Sequence, residues 1–184
     1  QTCALPIYDL GVNRAQFPFA QWKWTLFDDD TVDHTNLLHQ NFTEDDIGHH
    51  KAEIVSERTA RVIKPELRFM TKDDFGKFDV VFSCVDSMSF RKDLYTYGFS
   101  HPELYWVDGR CSSRNIGLFN SKCGEKVLKA SLNDSQERKG CLLQADKEKK
   151  VSHITPVTVA SMMAQTFLNH LRGMDTTDQI LLVI

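Results

Sequence analysis

No stretch of this chain approaches the run of about 18 apolar residues that a membrane span needs. No secretory leader is read at its start. The five cysteines, Cys3, Cys84, Cys111, Cys123 and Cys141, are scattered, and no two are spaced C-x-x-C. That excludes a zinc ribbon and argues against a disulfide framework. A reducing, cytoplasmic setting fits best. No basic stripe appears and the formal net charge is −3, so nucleic acid is not expected as the main partner. His34, His39, His49 and His50 show no i, i+4 pairing and have no cysteines in range, which argues against zinc. Repeats and low-complexity tracts are absent too. What remains is ordinary globular composition, 41% hydrophobic and 26% charged over 184 residues, enough for one domain with a real core.

Both ends are unusual. "QTCALPI", Gln1–Ile7, is what CAG ACG TGT GCT CTT CCG ATC would encode, and it resembles a common DNA-sequencing adapter. Those residues read as an assembly artefact, with protein proper from Tyr8. The last residues, "DQILLVI", form an apolar strand with nothing beyond it, so the chain reads as a fragment.

Strand and helix patterns alternate between these ends. "YDLGVNRAQ" suggests a helix tail with Gly11 near its end. "WKWTLFDD" ends an apolar strand. "DDIGHHKAEIVSERTARVIKPEL" predicts a helix with Ala52, Val55, Thr59 and Val62 on one face, stopped by Pro65. A short strand is expected at 67–71. "KFDVVFSCVD" (77–86) is continuous and apolar, as in a parallel sheet buried on both faces. Ser87 can cap the next helix, striped by Phe90, Leu94 and Tyr97 and ended by Gly98. Strands follow at 104–110 and 115–121, then an irregular, charged crossover at about 122–150. Thr155 and Pro156 open a helix with Val157, Ala160, Ala164, Phe167 and Leu171 on its buried face and Gly173 at its close. A final strand covers 179–184. The alternation predicts an α/β fold: a Rossmann-like, mostly parallel sheet flanked by helices in three layers. Ligands sit at the carboxyl ends of strands in such sheets.

Two acids lie at such ends. Asp28 begins three consecutive aspartates, where like charges repel. It either accepts ribose hydroxyls or belongs to a solvated turn. Asp86 either holds Mg²⁺, a hard cation that takes oxygen ligands, or serves as a helix N-terminal acid. Lys51 is a cation on the first turn of a helix, poorly placed for the dipole. It faces phosphates or simply solvent. Asn36 and Gln40 share a loop and can bond phosphates or hydroxyls. Arg91 can anchor Asp86 or another acid.

In order and spacing, "LFDDDTVDHTNLLHQNF", "DIGHHKAE", "VIKPEL" and "DVVFSCVDSMSFRKDL" resemble the ThiF/MoeB/HesA superfamily of ubiquitin-activating-enzyme-like adenylyltransferases. That pattern reads D-x-D-x-V-x-x-x-N-L-x-R-Q, D-I-G-x-x-K-A, I-N-P and D-V-V-x-x-C-x-D-N-x-x-x-R. The match spans about residues 24–95, with weaker similarity through "WVDG" and the Pro156 helix. The resemblance implies that 8–184 is a single ThiF-like nucleotide-binding domain using ATP and Mg²⁺. It implies Asp28 on the ATP ribose, Asp30 as the second motif aspartate, Asn36, His39 and Gln40 lining the phosphate site, Lys51 on phosphates, Asp86 on Mg²⁺ and Arg91 in support. The implied reaction is ATP-dependent adenylation of a carboxylate with release of pyrophosphate. The carboxylate is usually the C-terminus of a ubiquitin-like or sulfur-carrier protein; a small molecule or tRNA-linked acid is the alternative. A homodimer is implied by resemblance alone.

The chain departs from that pattern in four places. None of its nine glycines forms G-x-G-x-x-G, so the family's first strand, phosphate-cradling loop and nearby arginine are missing, and activity is expected to be impaired. His39 stands where the pattern has arginine, a permanent bidentate charge. Ser87 replaces asparagine after Asp86. No cysteine stands just before the Pro156 helix, where some members of the superfamily carry a thioester or persulfide cysteine; Cys141 is the nearest candidate thiol, and Cys84 reads as core. A non-catalytic pseudo-enzyme or scaffold subunit is therefore the alternative function. A nicotinamide oxidoreductase explains Asp28 but not Lys51 with N-L-x-x-Q.

Overall fold

A computed structural model describes residues 22–38, 40–112, 114–132, 154–175 and 177–183. The adapter-like start, the expected helix tail around Gly11, His39, Cys141 and the later part of the crossover lie outside the described residues. The described chain divides into two units, 22–70 and 71–183.

The first unit is built on β1 (Trp24–Phe27), α1 (Lys51–Arg58) and β2 (Ile63–Glu66), and the two strands pair in parallel from Trp24↔Ile63 to Phe27↔Glu66. The helix stops well short of Pro65, contrary to the sequence expectation. Ala60 (φ 52°) and Arg61 (φ 59°) both turn left-handed, which ends a right-handed helix. The Thr59 hydroxyl donates to the Val55 and Ser56 carbonyls, and the Ser56 hydroxyl donates to the Ile63 carbonyl at 2.6 Å. The chain is thus extended by Ile63, so β2 forms here and not at 67–71. Pro65 sits within β2 opposite Leu26, in a strand of a two-stranded sheet where a missing N–H is tolerated. Ala52 and Val55 are buried as expected, whereas Val62 is exposed.

The second unit contains β3 (Val80–Ser83), α2 (Met88–Ser100), β4 (Tyr105–Ser112), β5 (Asn115–Asn120), α3 (Glu125–Leu132), α4 (Thr155–Leu171) and β6 (Gln179–Val183). The sheet order is β3-β4-β5-β6. β3 and β4, joined through α2, are parallel; β5 is antiparallel to β4, and β6 to β5. The α/β class is the expected one. A short link between β4 and β5 leaves no room for a crossover helix, so that pairing is antiparallel.

β4 is covered on both faces. Its side chains alternate: Trp106 stacks on Tyr95 of α2 at 4.8 Å, while Tyr105 stacks on His170 of α4 at 3.7 Å. Glycines set the approach of both helices. A Cβ on Gly98 would lie 2.4 Å from Trp106 Nε1, and one on Gly109 2.2 Å from Met163 Sδ. Gly98 therefore lies inside α2 and does not end it.

Two further expectations change. The crossover region begins with α3, whose Leu128 is buried, so its start is helical and not irregular. In α4, Val157 is 63% exposed and Leu171 37% exposed; the covered side is Val159, Ala160, Met163, Ala164, Phe167 and Leu168. The expected stripe was displaced because α4 packs against both β4 and β5, which widens the buried arc. Gly173, at φ +64°, follows the helix as expected.

Candidate functional site

In the first unit, β1 runs directly into the three aspartates. The Asp28 N–H still donates to the Glu66 carbonyl at 3.2 Å, which keeps this residue on the β1–β2 ladder. Its side chain is buried, and Oδ1 accepts the Asp30 N–H at 2.9 Å. Asp29 and Asp30 are exposed. The carboxylates of all three lie within 4.8 Å of one another, and a cation offsets the repulsion: Lys51 Nζ is 2.7 Å from Asp30 Oδ2. The Lys51 side chain is only 4% exposed against 49% for Asp30. Its backbone N–H also donates to the Asp30 carbonyl at 3.0 Å.

The segment before α1 fixes this pairing. The Val32 N–H donates to the His49 carbonyl and the Gly48 N–H to the Val32 carbonyl, each at 2.9 Å. Gly48 holds φ +85°, the region that glycine enters without strain. Asp46 accepts the Thr43 N–H and hydroxyl and pairs with Arg58. Arg58 also donates to the Asn41 carbonyl and lies over the Phe42 ring. Burial pushes the Asp46 carboxyl up, but the Thr43 hydrogen bonds and the Arg58 charge outweigh it and hold the group below its ordinary value.

Asn36 is buried, and its Oδ1 accepts the Asp33 N–H at 3.0 Å. The Asp33 carboxyl is held low, first by the Thr35 hydroxyl that donates to it. The Gln40 N–H donates to the Asn36 carbonyl at 2.8 Å. Two buried atoms in this unit have no partner among the described residues, Gln40 Oε1 and His50 Nδ1. A buried polar atom without a partner is costly, so a polar ligand that reached them would be favoured. Asp28, Asp30, Asn36, Gln40 and Lys51 thus belong to one unit, and their donor set fits a nucleotide: carboxylate for hydroxyls, ammonium and amide for phosphate.

In the second unit, Asp86 is exposed in the loop between β3 and α2, one residue before the helix cap. Ser87 is that cap: its hydroxyl accepts the Phe90 N–H at 3.2 Å. A hydroxyl caps as well as an amide, which accounts for serine at this position. An exposed carboxylate at this place could supply one oxygen ligand to Mg²⁺, which typically takes one or two carboxylates and fills its other positions with water and phosphate oxygens.

Arg91 does not project into solvent. It is buried, and each guanidinium nitrogen has a partner: Nε donates to Asp108 Oδ1 at 3.2 Å, Nη1 to the Met88 sulfur at 3.2 Å and Nη2 to the Val85 carbonyl. The acid it anchors is Asp108, a residue the sequence reading did not single out. Asp108 is completely buried. It also accepts from the Ser83 hydroxyl at 2.8 Å, the Tyr95 hydroxyl at 2.6 Å and Arg110 Nε at 2.8 Å. Arg110 in turn donates to the Ser131 carbonyl of α3 at 3.0 Å and lies 4.4 Å over the Phe119 ring. Burial pushes the Asp108 carboxyl up, but Arg91 and then Arg110 outweigh it and hold the group ionised below the usual range. Burial, then the Asp108 charge, pushes the Tyr95 phenol well above its ordinary value. The signal for this cluster was an acid and an arginine two residues apart on one face of an otherwise apolar strand, "YWVDGR".

Comparison with known proteins agrees with the fold. The ThiF family matches residues 22–181. No curated protein matches the sequence. Among solved structures, E. coli MccB with AMPCPP and MccA is similar at TM-score 0.61 and 14% identity, covering 87% of this chain and 52% of that one. E. coli MccB with ATP is similar at 0.60 and 16%, with 87% and 52% covered. PaaA is similar at 0.61 and 10%, again with 87% and 52% covered. At such identities the likeness shows a Rossmann-like fold, and this chain spans about half the length of those structures. No helix among the described residues is long and apolar enough to cross a membrane.

Proposed function

Because this chain belongs to the ThiF family, we propose that it carries the nucleotide-handling part of an enzyme that adenylates a carboxylate with ATP. In that reaction a carboxylate oxygen of the acceptor attacks the α-phosphorus. The bond to the β-phosphate oxygen breaks, pyrophosphate leaves and the acyl-adenylate remains. The residues carry little covalent chemistry; positioning and charge neutralisation do most of the work.

Asp28 would accept the ribose hydroxyls, while Asn36, His39 and Gln40 would line the phosphates. Lys51 would neutralise phosphate charge, with Asp30 orienting its ammonium. Asp86 would hold Mg²⁺, which when bound neutralises phosphate oxygens and eases departure of pyrophosphate. The acceptor we favour is the C-terminus of a ubiquitin-like or sulfur-carrier protein, in a cytoplasmic homodimer. Crystal structures of E. coli MccB hold ATP, or AMPCPP with MccA, which supports a nucleotide used together with a second polypeptide.

The observation that carries this reading is Lys51, a buried ammonium 2.7 Å from the half-exposed Asp30. The ion pair with Asp30 permits that burial, and a cation on the first turn of a helix gains nothing from the helix dipole, which supports a role toward phosphate. Calorimetric titration with MgATP tests the reading. Binding is expected, with affinity at least about tenfold lower in Lys51→Ala, as for loss of one charge-assisted phosphate contact. Equal affinity in both proteins, or tighter binding of NAD than of ATP, would sink it. One sequence feature, His39 in place of the motif arginine, favours a second reading, a scaffold subunit that binds nucleotide without turning it over.

A further inference from the structure

The second unit holds a charged cluster at the heart of its sheet that the proposed chemistry does not use. Asp108 lies on β4 directly opposite Ser83, the last residue of β3. β3 then leads into the loop of residues 84–87, which carries Asp86. Arg91, on the first turn of α2, stands between the two: its Nε donates to Asp108 and its Nη2 to the Val85 carbonyl, one residue before Asp86. An ionised carboxylate buried this deeply is tolerated only when paired and hydrogen-bonded. Asp108 meets that condition with donors from Ser83, Arg91, Tyr95 and Arg110. Asp108, the Met88 sulfur and the Val85 carbonyl together hold the Arg91 guanidinium inward.

We propose that Asp108 is a positioning residue: through Arg91 it holds the Val85 carbonyl and thereby sets where the loop presents the Asp86 carboxylate. The proposal rests on the adenylation reading for what Asp86 does, but not for how the loop is held. A planar guanidinium suits this task because its fixed fork spans two acceptors at once. A lysine ammonium keeps the charge opposite Asp108 but is a point donor at the end of a flexible stem. A carboxamide at 108 keeps the shape and removes the charge that orients the fork.

Cys84 lies in the same loop and is partly buried, with its thiol donating to the Met163 sulfur at 3.8 Å. Cys111, on β4, is also partly buried and serves as an internal control. The test is thiol labelling of the full chain, resolved by peptide mass spectrometry, in the wild type, Arg91→Lys and Asp108→Asn. Labelling of Cys84 is expected to rise about tenfold in Arg91→Lys, the effect of one lost charge-assisted hydrogen bond on a local opening equilibrium, with Cys111 unchanged. Asp108→Asn, where it folds, should move Cys84 in the same direction. A parallel rise at Cys84 and Cys111 would mean general loosening and overturn the proposal, as would no rise at Cys84.

A second readout concerns Asp86 itself. The Mg²⁺ concentration that half-saturates ATP binding should rise about tenfold in Arg91→Lys, the size typical of losing an outer-shell partner; an unchanged Mg²⁺ requirement overturns the positioning of Asp86. The labelling uses no nucleotide. A chain that binds no ATP at all refutes the adenylation reading while the labelling still decides this one.

Discussion

At the residue scale, the charges that matter are those withdrawn from water with a partner already in place. Lys51 with Asp30 and Asp108 with its two arginines differ in one respect: Asp30 remains half exposed while Asp108 is fully enclosed. The first pair can admit a ligand; the second is committed to the fold. Asp46 is a third case, and it makes stability depend on pH. Its folded pKa lies below the ordinary 3.8, so the unfolded chain binds the proton more readily. Its contribution is therefore fully present above pH 3.8 and is lost as pH falls from there through the lowered value. Acid unfolding followed by circular dichroism should show a shallower acid limb in Asp46→Asn than in the wild type. An identical acid limb would remove Asp46 from that account.

At the element scale, β4 decides how closely the helices approach. Gly98 has no room for a methyl group: the atom it would meet belongs to an indole ring held in a stack with Tyr95. Gly98→Ala should therefore destabilise by about 1–3 kcal/mol, the usual cost of overpacking, and lower the melting temperature accordingly. Gly124 meets nothing within 4 Å, so Gly124→Ala should leave the melting temperature nearly unchanged. Equal effects of the two substitutions would contradict this packing. On α3, Leu128 is 1% exposed; Leu128→Ala should cost about 2–5 kcal/mol, measured by denaturant titration. A loss below 1 kcal/mol would mean that α3 is not anchored through that side chain.

At the scale of the whole molecule, what could be read in advance follows the range of the forces involved. The alternation of strands and helices was legible because it rests on local periodicity: β3, α2, β4 and β5 all lie where the apolar pattern put them. The Ser87 cap was legible for the same reason. Pro65 misled, because a proline announces that a helix cannot continue but not where it already ended; the left-handed pair at Ala60 and Arg61 carries no comparable signal. Gly98 misled in the opposite sense, since its role depends on Trp106 across the packing. In the first unit, the resemblance to the family's motifs named Asp28, Asp30, Asn36, Gln40 and Lys51, and the structure brings Asp30 and Lys51 into direct contact. Arg91 was named but its partner was not, because Asp108 is 17 residues away and only the parallel pairing of β3 with β4 brings it near.

The chain belongs to the ThiF family, and the carboxylate activation proposed for it is tested most directly by exchange. The measurement is incorporation of labelled pyrophosphate into ATP by the full chain, with Mg²⁺ and a polypeptide bearing a free C-terminal glycine. The account predicts exchange, slow in a chain without G-x-G-x-x-G, that requires the polypeptide and falls at least about tenfold in both Lys51→Ala and Asp86→Asn, since each would remove a charge that stabilises the transition state. ATP binding by the wild-type chain with no exchange under any acceptor would contradict it and leave nucleotide binding without catalysis as the function.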